Sequence, residues 1–370
     1  MEFYFPTRII INRGSVRENW DKLGGLGKRC LIVTGCNSAK KCGALDDAAY
    51  ALKKAGVSYE VFSRITQNPR FTDCAEGAKA AVDCKADFIL GIGGGSPLDA
   101  GKAIAWLAAN PGSDEQQMYS QTLKNKPLPF AAIGTTAGTG SEVTQVAVIT
   151  GTDGRKKSIR SEFIFPVIAF GDPAYTSFMP EHVTRSTAVD ALSHCIESYF
   201  NKASTAFSEM YAFCGARIIT EILSQKLSDF SVTEQQRDML YLASVFGGMA
   251  ISVTGTCIPH ALSYFLTENH GVAHGNACAF WLPFFIQYNQ KYAPERAGKF
   301  FDGIRMKADE FVLLVENTAQ HIDITVSADE LEMLRPRWKN NGSILKALGR
   351  TDNEYIENLL KKSLLKEEKE

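Results

Sequence analysis

The 370-residue sequence predicts an α/β domain over residues 1–172, followed by an all-helical domain over residues 173–370. In the first half, short apolar runs alternate with amphipathic, alanine-rich stretches. This β-α-β-α order is typical of a parallel sheet covered by helices. After about Pro173 the strand signals fade, and helical patterns separated by short breaks continue to the C-terminus.

The elements of the first half follow one another with short connections. The predicted strands are Arg29–Gly35, Tyr59–Phe62, Asp87–Ile92 and Pro129–Ile133. The predicted helices are Leu45–Ala55, Thr72–Val82 and Pro97–Ala109. Turn-favouring residues such as Gly56 and Pro69 separate them, so each apolar run is short enough to be one buried strand.

The composition indicates an ordinary globular protein rather than a nucleic-acid or membrane binder. The formal net charge is −1 and 45% of the residues are hydrophobic, so no basic excess points to an anionic partner. The nine cysteines contain no C-x-x-C pair, which favours free thiols in a reducing cytoplasm. The N-terminus lacks the basic and apolar regions of a signal peptide.

The stretch Met239–Pro259 carries no charge and is long enough to span a bilayer. It also contains three glycines, four Ser or Thr residues, and a histidine directly after it. An all-apolar helix can be buried in protein as well as in lipid, and we expect a core helix here.

Four residues of the second half form a candidate metal site. Asp190 and His194 are spaced i, i+4, which places a carboxylate and an imidazole on one helix face. His260 and His274 lie in glycine-flanked or apolar surroundings further along the chain. Each histidine alone is more often structural, but one carboxylate with three imidazoles suits Fe(II) or Zn(II).

Two glycine-rich loops follow predicted strands. The first, Gly91–Asp99, opens a helix whose N-terminus favours an anion, although it lacks the G-x-G-x-x-G fingerprint. The second, Gly134–Glu142, offers hydroxyls and backbone donors. Either could be a mere tight turn or polar loop, but together they predict two loops that hold one dinucleotide.

The loop after the first strand bears on which dinucleotide is bound. In a dinucleotide fold, an acidic residue at this place reads the 2′-hydroxyl of NAD. Here Gly35 is followed by Ser38, Lys40 and Lys41, which favours the 2′-phosphate of NADP. Solvated lysines are the alternative, and NAD stays possible.

These motifs together resemble the iron-dependent (group III) alcohol dehydrogenases, in the branch of the 1,3-propanediol and butanol dehydrogenases. The matching segments are Gly93–Asp99, Gly134–Glu142, the Asp190/His194 pair, and His260 with His274 fourteen residues later. The likeness extends over roughly residues 30–280 and is looser towards the C-terminus.

The resemblance implies a Rossmann-like domain and a helical domain, the dehydroquinate synthase-like architecture, with the active site in the cleft between them. It implies iron, with zinc as an alternative, on Asp190, His194, His260 and His274, and a homodimer or larger homo-oligomer, with the N-terminal segments Phe3–Phe5 and Arg8–Ile11 as a candidate interface. The cofactor contacts that it implies are Asn68, Gly94, Gly95, Ser96, Asp99, Thr135, Thr136 and Thr139.

One position departs from the family pattern. Many members carry a further histidine four residues after the position of His260, and here that residue is Tyr264. The proton route is therefore open, with Tyr264 at the family position and His270 as an alternative relay.

The sequence thus predicts a metal-dependent oxidoreductase that interconverts a primary alcohol or diol and its aldehyde with NADP(H), the metal acting as a Lewis acid. Two alternatives remain. A phosphorylated sugar substrate would need basic residues near the metal, and Arg155, Lys156, Lys157 and Arg160 are the densest cluster. A dinucleotide-binding scaffold without turnover is the other alternative.

Overall fold

A computed structural model describes residues 3–122, 124–226 and 230–365, so the last five residues of the predicted helical domain lie outside the described residues. The strands are β1 Arg8–Ile11, β2 Arg29–Gly35, β3 Ser58–Ile65, β4 Phe88–Gly93, β5 Phe130–Gly134, β6 Val146–Thr150, β7 Lys156–Arg160 and β8 Ile168–Gly171. The helices are α1 Ser15–Glu18, α2 Trp20–Gly24, α3 Ser38–Lys41, α4 Ala44–Lys54, α5 Phe71–Asp83, α6 Gly95–Ala108, α7 Glu115–Ser120, α8 Glu181–Tyr199, α9 Ala206–Ser224, α10 Glu234–Thr254, α11 Ile258–His270, α12 His274–Tyr292, α13 Pro294–Ile304, α14 Ala308–Thr318, α15 Ala328–Leu334 and α16 Asn353–Leu364.

Six strands form one parallel sheet in the order β1-β8-β5-β4-β2-β3. Its central strands are buried on both faces, as a parallel sheet between two helix layers requires. In β2, Leu31 and Val33 face one core, while Cys30 and Ile32 face the other. The predicted parallel α/β fold is therefore confirmed, with helices on both sides of the sheet.

The first strand pairs with the last one. Arg8 of β1 lies opposite Ile168 of β8, so the N-terminus forms one edge of the sheet. Phe3 instead stacks on Phe207 of α9, with ring centroids 4.8 Å apart. A dimer built through these N-terminal segments stays a prediction.

An antiparallel hairpin leaves the sheet between β5 and β8. Val146 of β6 lies opposite Arg160 of β7, and Thr150 lies opposite Lys156. The sequence did not predict this hairpin. Its strands alternate side chains between two faces, and one of those faces becomes part of the site described below.

The second half of the described chain is helical, as predicted, and has its own apolar core. The predicted core helix corresponds to α10, whose Leu240, Tyr241 and Val245 are buried. No single described helix is apolar and long enough to cross a membrane. The pair α10 and α11 passes that test jointly, although the chain bends by 109° between them. This bend aims the start of α11 at α8.

The arrangement places the predicted functional loops together. Strands β2, β4 and β5 are neighbours in the sheet, so the loops that follow them emerge at the same edge. The last strand ends at Gly171 and α8 begins at Glu181. The boundary between domains at residues 172 and 173 stays a prediction, because it falls in the connection between these two elements.

Candidate metal centre and cofactor cleft

Three histidines converge on one carboxylate oxygen. Asp190 and His194 lie one turn apart on α8, His260 lies in the first turn of α11, and His274 opens α12. The Nε2 atoms of His260, His274 and His194 lie 3.5, 3.8 and 3.9 Å from Asp190 Oδ1. The structure thus brings all four predicted metal residues to one point.

Two buried polar atoms without hydrogen-bond partners in the described part of the chain indicate that this cluster fits a divalent cation. Asp190 Oδ1 and His260 Nε2 are both buried, and neither has a hydrogen-bond partner among the described residues. An unpartnered buried polar atom costs about 1–3 kcal/mol, so such a pair demands an explanation. A divalent metal bound between them would supply the missing partner to both atoms.

The electrostatics of the cluster keep the carboxylate ionised. Burial opposes the charge on Asp190, but the neighbouring imidazoles of His194 and His274 hold the pKa of that carboxyl well below its usual range. Burial lowers the pKa of His194, and it lowers the pKa of His274 to about 3. At His260 burial opposes the charge, but Cys278, Glu197 and Asp190 raise the pKa well above its ordinary value, so a metal ion would bind there by displacing a proton, beside the neutral imidazoles of His194 and His274.

Glu197 holds His260 from behind. Its Oε1 lies 2.5 Å from His260 Nδ1 and accepts from Ser193 Oγ at 2.6 Å. Its Oε2 accepts from the backbone N–H groups of Cys257, at 2.6 Å, and of His260, at 3.3 Å. Because Nδ1 donates to the carboxylate, the lone pair of Nε2 is directed at Asp190.

The sequence reasoning did not identify Glu197. Asp190, His194 and Glu197 follow an i, i+4, i+7 pattern on α8, which places them on one face. Burial favours the neutral acid, but His260 and the hydrogen bonds keep the pKa of Glu197 below its ordinary value. The i+7 spacing was the available signal.

Cys278 is a second residue that the sequence reasoning missed. Four potential ligand atoms lie within 4.8 Å of one another, one each from Asp190, His260, His274 and Cys278. Its Sγ is 4.0 Å from His274 Nε2, one helical turn along α12. Burial raises the pKa of this thiol, which favours its protonated form. His194 lies outside this tightest group, although its ring stacks on His260 at 4.6 Å.

The two predicted relay residues have different positions. Tyr264 lines the cleft and stacks on His274, with ring centroids 6.1 Å apart, and burial raises its pKa to about 12. His270 ends α11, about 15 Å along the helix from His260. Its Nε2 lies 3.7 Å from Glu330 Oε1. The structure therefore brings Tyr264 to the metal residues and does not bring His270 there.

The two predicted glycine loops contact each other. A Cβ on Gly94 would lie 3.0 Å from Thr136, and one on Gly95 would lie 3.0 Å from Thr139. A side chain at either position would crowd the facing threonine, so glycine favours this close approach of the loops. The helix α6 begins at Gly95, two residues before the predicted Pro97, and its N-terminal amides face the cleft edge.

Other predicted cofactor residues lie around these loops. Asn68 N donates to Ser96 Oγ at 3.2 Å, and Thr135 is buried with its N–H bonded to Gly93 O at 3.0 Å. Asp99 accepts from Ser141 Oγ at 2.6 Å and from Val148 N at 2.9 Å. Both carboxylate oxygens of Asp99 therefore already hold the second loop and the hairpin in place.

Lys102 strengthens the same connection and was also missed by the sequence reasoning. Its fully buried ammonium group donates to Ser141 O, Ser141 Oγ and Val146 O at 2.7–2.8 Å, and to Thr144 Oγ1 at 3.2 Å. Burial lowers its pKa to about 8. This side chain fastens α6 to the segment that leads into the hairpin.

The loop after β2 lies beside the first glycine loop. Gly35 ends the strand, and Ser38 and Lys41 are exposed in the short helix α3. Neither Lys40 nor Lys41 forms an ion pair with an acid of the described residues. Both ammonium groups are therefore available to an anionic group of a cofactor bound along this edge.

One cleft joins the cofactor loops to the metal cluster. Its volume is about 380 Å³, within the range for small-molecule sites. Gly95, Ser96 and Thr139 line it on the sheet side, and Asp190 and His260 line it on the helical side. This continuity is the geometry that a hydride transfer between a dinucleotide and a metal-bound substrate requires.

Comparison with known protein families identifies the chain. The model described as "Iron-containing alcohol dehydrogenase" matches residues 6–173, and "Fe-containing alcohol dehydrogenase family, C-terminal" matches residues 184–332. The chain belongs to the iron-containing alcohol dehydrogenase family. The sequence-based recognition is thereby confirmed.

Curated relatives span both nicotinamide cofactors. The 1,3-propanediol dehydrogenase of Klebsiella pneumoniae is 32% identical over 80% of this chain and 75% of its own length. The NAD-dependent methanol dehydrogenase of Bacillus methanolicus is 31% identical over 80% and 77%. The NADPH-dependent butanol dehydrogenase of Clostridium saccharobutylicum is 28% identical over 93% and 90%.

A solved structure supports the same assignment. The iron-containing alcohol dehydrogenase of Thermotoga maritima superposes with a TM-score of 0.90 at 34% identity, over 98% of this chain and 99% of that one. The likeness therefore extends through the C-terminal region, where the sequence motifs were weakest.

Proposed function

We propose that this chain interconverts a primary alcohol or diol and its aldehyde by hydride transfer with NADP(H). Membership of the family supports alcohol or diol dehydrogenase activity, and NADP(H) and the mechanism are the finer part of the proposal. The observation that carries it is the shared cleft, which Ser96 and Thr139 line together with Asp190, His260 and His274.

The proposed metal ligands are Asp190, His194, His260 and His274. All three Nε2 atoms approach the same Asp190 oxygen within 4 Å, which favours this set over one in which Cys278 replaces His194. A divalent ion such as Fe(II) or Zn(II), when bound there, supplies Lewis acidity to an alcohol or carbonyl oxygen.

The protein's own groups position the reactants. Glu197 fixes the His260 ring through Nδ1, so that Nε2 stays available. The N-terminus of α6 offers backbone amides to the cofactor diphosphate, and Gly94 and Gly95 let it approach. The Tyr264 phenol, which stays protonated at neutral pH, presents a hydrogen-bond donor to the same cleft.

The preference for NADP(H) rests on the loop after β2. The strand ends in Gly35 rather than in an acidic residue, and Ser38 and Lys41 follow with exposed side chains. A hydroxyl and an ammonium group suit a 2′-phosphate, whereas a carboxylate would repel it.

The cellular location and the oligomeric state of the enzyme are further parts of the proposal. All nine cysteines are free, which is in keeping with a cytoplasmic protein. We also propose a homodimer, with the edge strand β1 as the candidate contact.

The test is anaerobic oxidation of NADPH by butanal, with chelator-treated protein, protein reloaded with Fe(II), and NADH as the comparison. The proposal predicts turnover only with metal and faster turnover with NADPH. Turnover with NADH alone would overturn the cofactor preference and keep the reaction class. Cofactor binding without any turnover at full metal occupancy would support a scaffold without activity.

A further inference from the structure

One face of the strand β7 is basic and lines the cleft. Strand residues alternate sides, and Lys156, Ser158 and Arg160 all line the cavity that contains the metal cluster. The intervening Lys157 faces away, where its Nζ lies 3.0 Å from Asp153 and 3.6 Å from Glu115. Because of this alternation, Lys156 and Arg160 line the cleft, whereas Lys157 pairs with Asp153 and Glu115 outside it.

A further cation reaches the cleft from the C-terminal segment. Lys346 Nζ donates to Thr254 O at 3.1 Å, and Arg160 Nη2 donates to Ser252 O at 2.7 Å. A Cβ on Gly255 would lie 2.5 Å from Lys346 Nζ and 3.5 Å from Arg160 Nη1. The two cations thus flank the bare backbone of Gly255, five residues before His260.

These charges have no acidic partner within the described part of the chain. The carbonyls that hold Arg160 and Lys346 are neutral and end α10, where the helix dipole favours cations. The acids that line the cleft are Asp99 and Asp190. Asp99 is bonded to the second loop and the hairpin, and Asp190 belongs to the metal cluster. Three cations line the cleft: Lys156 lies over the Tyr264 ring, with its Nζ 5.5 Å from the ring centroid, while Arg160 and Lys346 meet beside Gly255 and have N–H donors that no acid of the described residues takes up.

We propose that Arg160 and Lys346 form a clamp for an anionic group on the substrate. The substrate class is then a short aldehyde, or the corresponding alcohol, that carries a carboxylate, phosphonate or similar anion at the end remote from the reacting carbon. This inference rests on the proposed alcohol–aldehyde reaction and specifies its substrate.

The position of the clamp separates it from the cofactor phosphates. The N-terminus of α6 and its glycines lie on the sheet side of the cleft, whereas Arg160 and Lys346 meet at the end of α10 on the helical side. A substrate with its anionic group beside Gly255 and its reacting oxygen at the Asp190 cluster would lie within this one cavity. Arg offers a planar fork and Lys a point charge, a combination that suits a carboxylate or phosphonate.

The experiment compares two aldehydes with the same number of carbon atoms. Butanal is neutral, and succinic semialdehyde carries a terminal carboxylate. Steady-state rates are measured with NADPH and the Fe(II)-loaded enzyme, and phosphonoacetaldehyde tests a phosphonate. The variants are Arg160→Gln and Lys346→Gln, and Lys157→Gln is the matched control on the same strand.

The clamp predicts that wild-type enzyme favours succinic semialdehyde over butanal in kcat/KM by at least about tenfold. Arg160→Gln and Lys346→Gln should each reduce that ratio about 10- to 100-fold, mainly through KM, since each removes a charged hydrogen bond. Lys157→Gln should leave the ratio unchanged. A stronger effect on phosphonoacetaldehyde than on succinic semialdehyde would identify the phosphonate as the better anion.

Two results would overturn the clamp. One is a wild-type preference for butanal. The other is a ratio that neither variant changes, and a rise in the KM for NADPH in both variants would then assign these cations to the cofactor.

A binding measurement keeps the two proposals distinguishable. If no aldehyde is turned over, the proposed function fails, and calorimetric titration of Fe(II)-loaded protein with succinate still tests the clamp. Wild-type and Lys157→Gln proteins should bind succinate alike, and Lys346→Gln should bind it at least about tenfold more weakly. Equal binding by all three proteins would refute the clamp.

Discussion

Replacing Glu197 with glutamine should weaken metal binding although Glu197 is not a proposed ligand. Four donors converge on its carboxylate, namely His260 Nδ1, Ser193 Oγ, and the backbone N–H groups of Cys257 and His260. Glutamine has one carbonyl oxygen, so its NH₂ group must face donors on one side. The His260 ring then loses the contact that directs Nε2 towards Asp190.

The size of the effect follows from those contacts. Partners of this kind typically change metal affinity 10- to 100-fold when mutated, which corresponds to about 1.4–2.7 kcal/mol. Stability should fall as well, because each lost hydrogen bond to a charged group costs about 1.5–3 kcal/mol and Glu197 is fully buried.

The assay is competition for Zn(II) or Co(II) between the protein and a chromophoric chelator, with thermal unfolding measured in parallel. Glu209→Gln is the matched control, because Glu209 pairs with Arg296 at 2.7 Å in another part of the helical region. A metal affinity of Glu197→Gln within twofold of wild type, in a folded protein, would refute the positioning role.

Four further variants test other parts of the site. Lys41→Gln should reduce the NADPH-over-NADH preference in kcat/KM about tenfold, and an unchanged preference would count against the 2′-phosphate contact. His194→Ala should weaken metal binding at least about tenfold, whereas Cys278→Ser should change it less than about threefold. The Co(II) spectrum should show no thiolate band that Cys278→Ser could remove. A larger loss of metal affinity in Cys278→Ser than in His194→Ala would make Cys278 the fourth ligand. The pKa of Lys102 is lowered to about 8 in the folded state from 10.5, so the unfolded chain binds more protons between these values and stability should rise with pH there. Relative to Lys102→Met, the wild-type free energy of unfolding should therefore gain up to about 3 kcal/mol from pH 8 to pH 10.5 in denaturant titrations, and parallel pH curves would contradict this account.

The parallel sheet was predictable because its strands are buried on both faces. The runs Arg29–Gly35 and Phe88–Gly93 are almost continuously apolar, and such runs carry their own signal. The start of α6 was placed two residues late, at Pro97, because glycine is a poor helix former and Gly95 gave no sign of helix. The pairing of β1 with β8 joins residues about 160 positions apart, which no local pattern reveals.

The hairpin β6–β7 was missed for a reason that concerns β7. The cleft-facing positions of β7 are Lys156, Ser158 and Arg160, so this strand lacks an apolar run, whereas β6 carries one that the sequence reasoning did not use. The basic cluster was noticed in the sequence. Only the strand alternation separates Lys156 and Arg160, which reach the cleft, from Lys157, which does not.

The metal residues were found because two of them have a local spacing. Asp190 and His194 share one turn of α8, whereas His260 and His274 arrive there through the bend between α10 and α11 and through the start of α12. Spacing alone could not reveal that bend, and the family resemblance supplied the link. His270 was considered a relay because it is close to His274 in sequence, but the helix carries it to Glu330 instead.

The central claim is that a divalent metal sits at Asp190 beside the cofactor loops. The most direct measurement is anomalous X-ray diffraction, at the iron edge, from crystals of Fe(II)-reloaded protein grown with NADPH. The account predicts one strong peak within bonding distance of Asp190, His194, His260 and His274, with cofactor density along Gly94–Ser96 in the same cleft. An anomalous peak elsewhere, or none at this cluster in fully loaded protein, would contradict it.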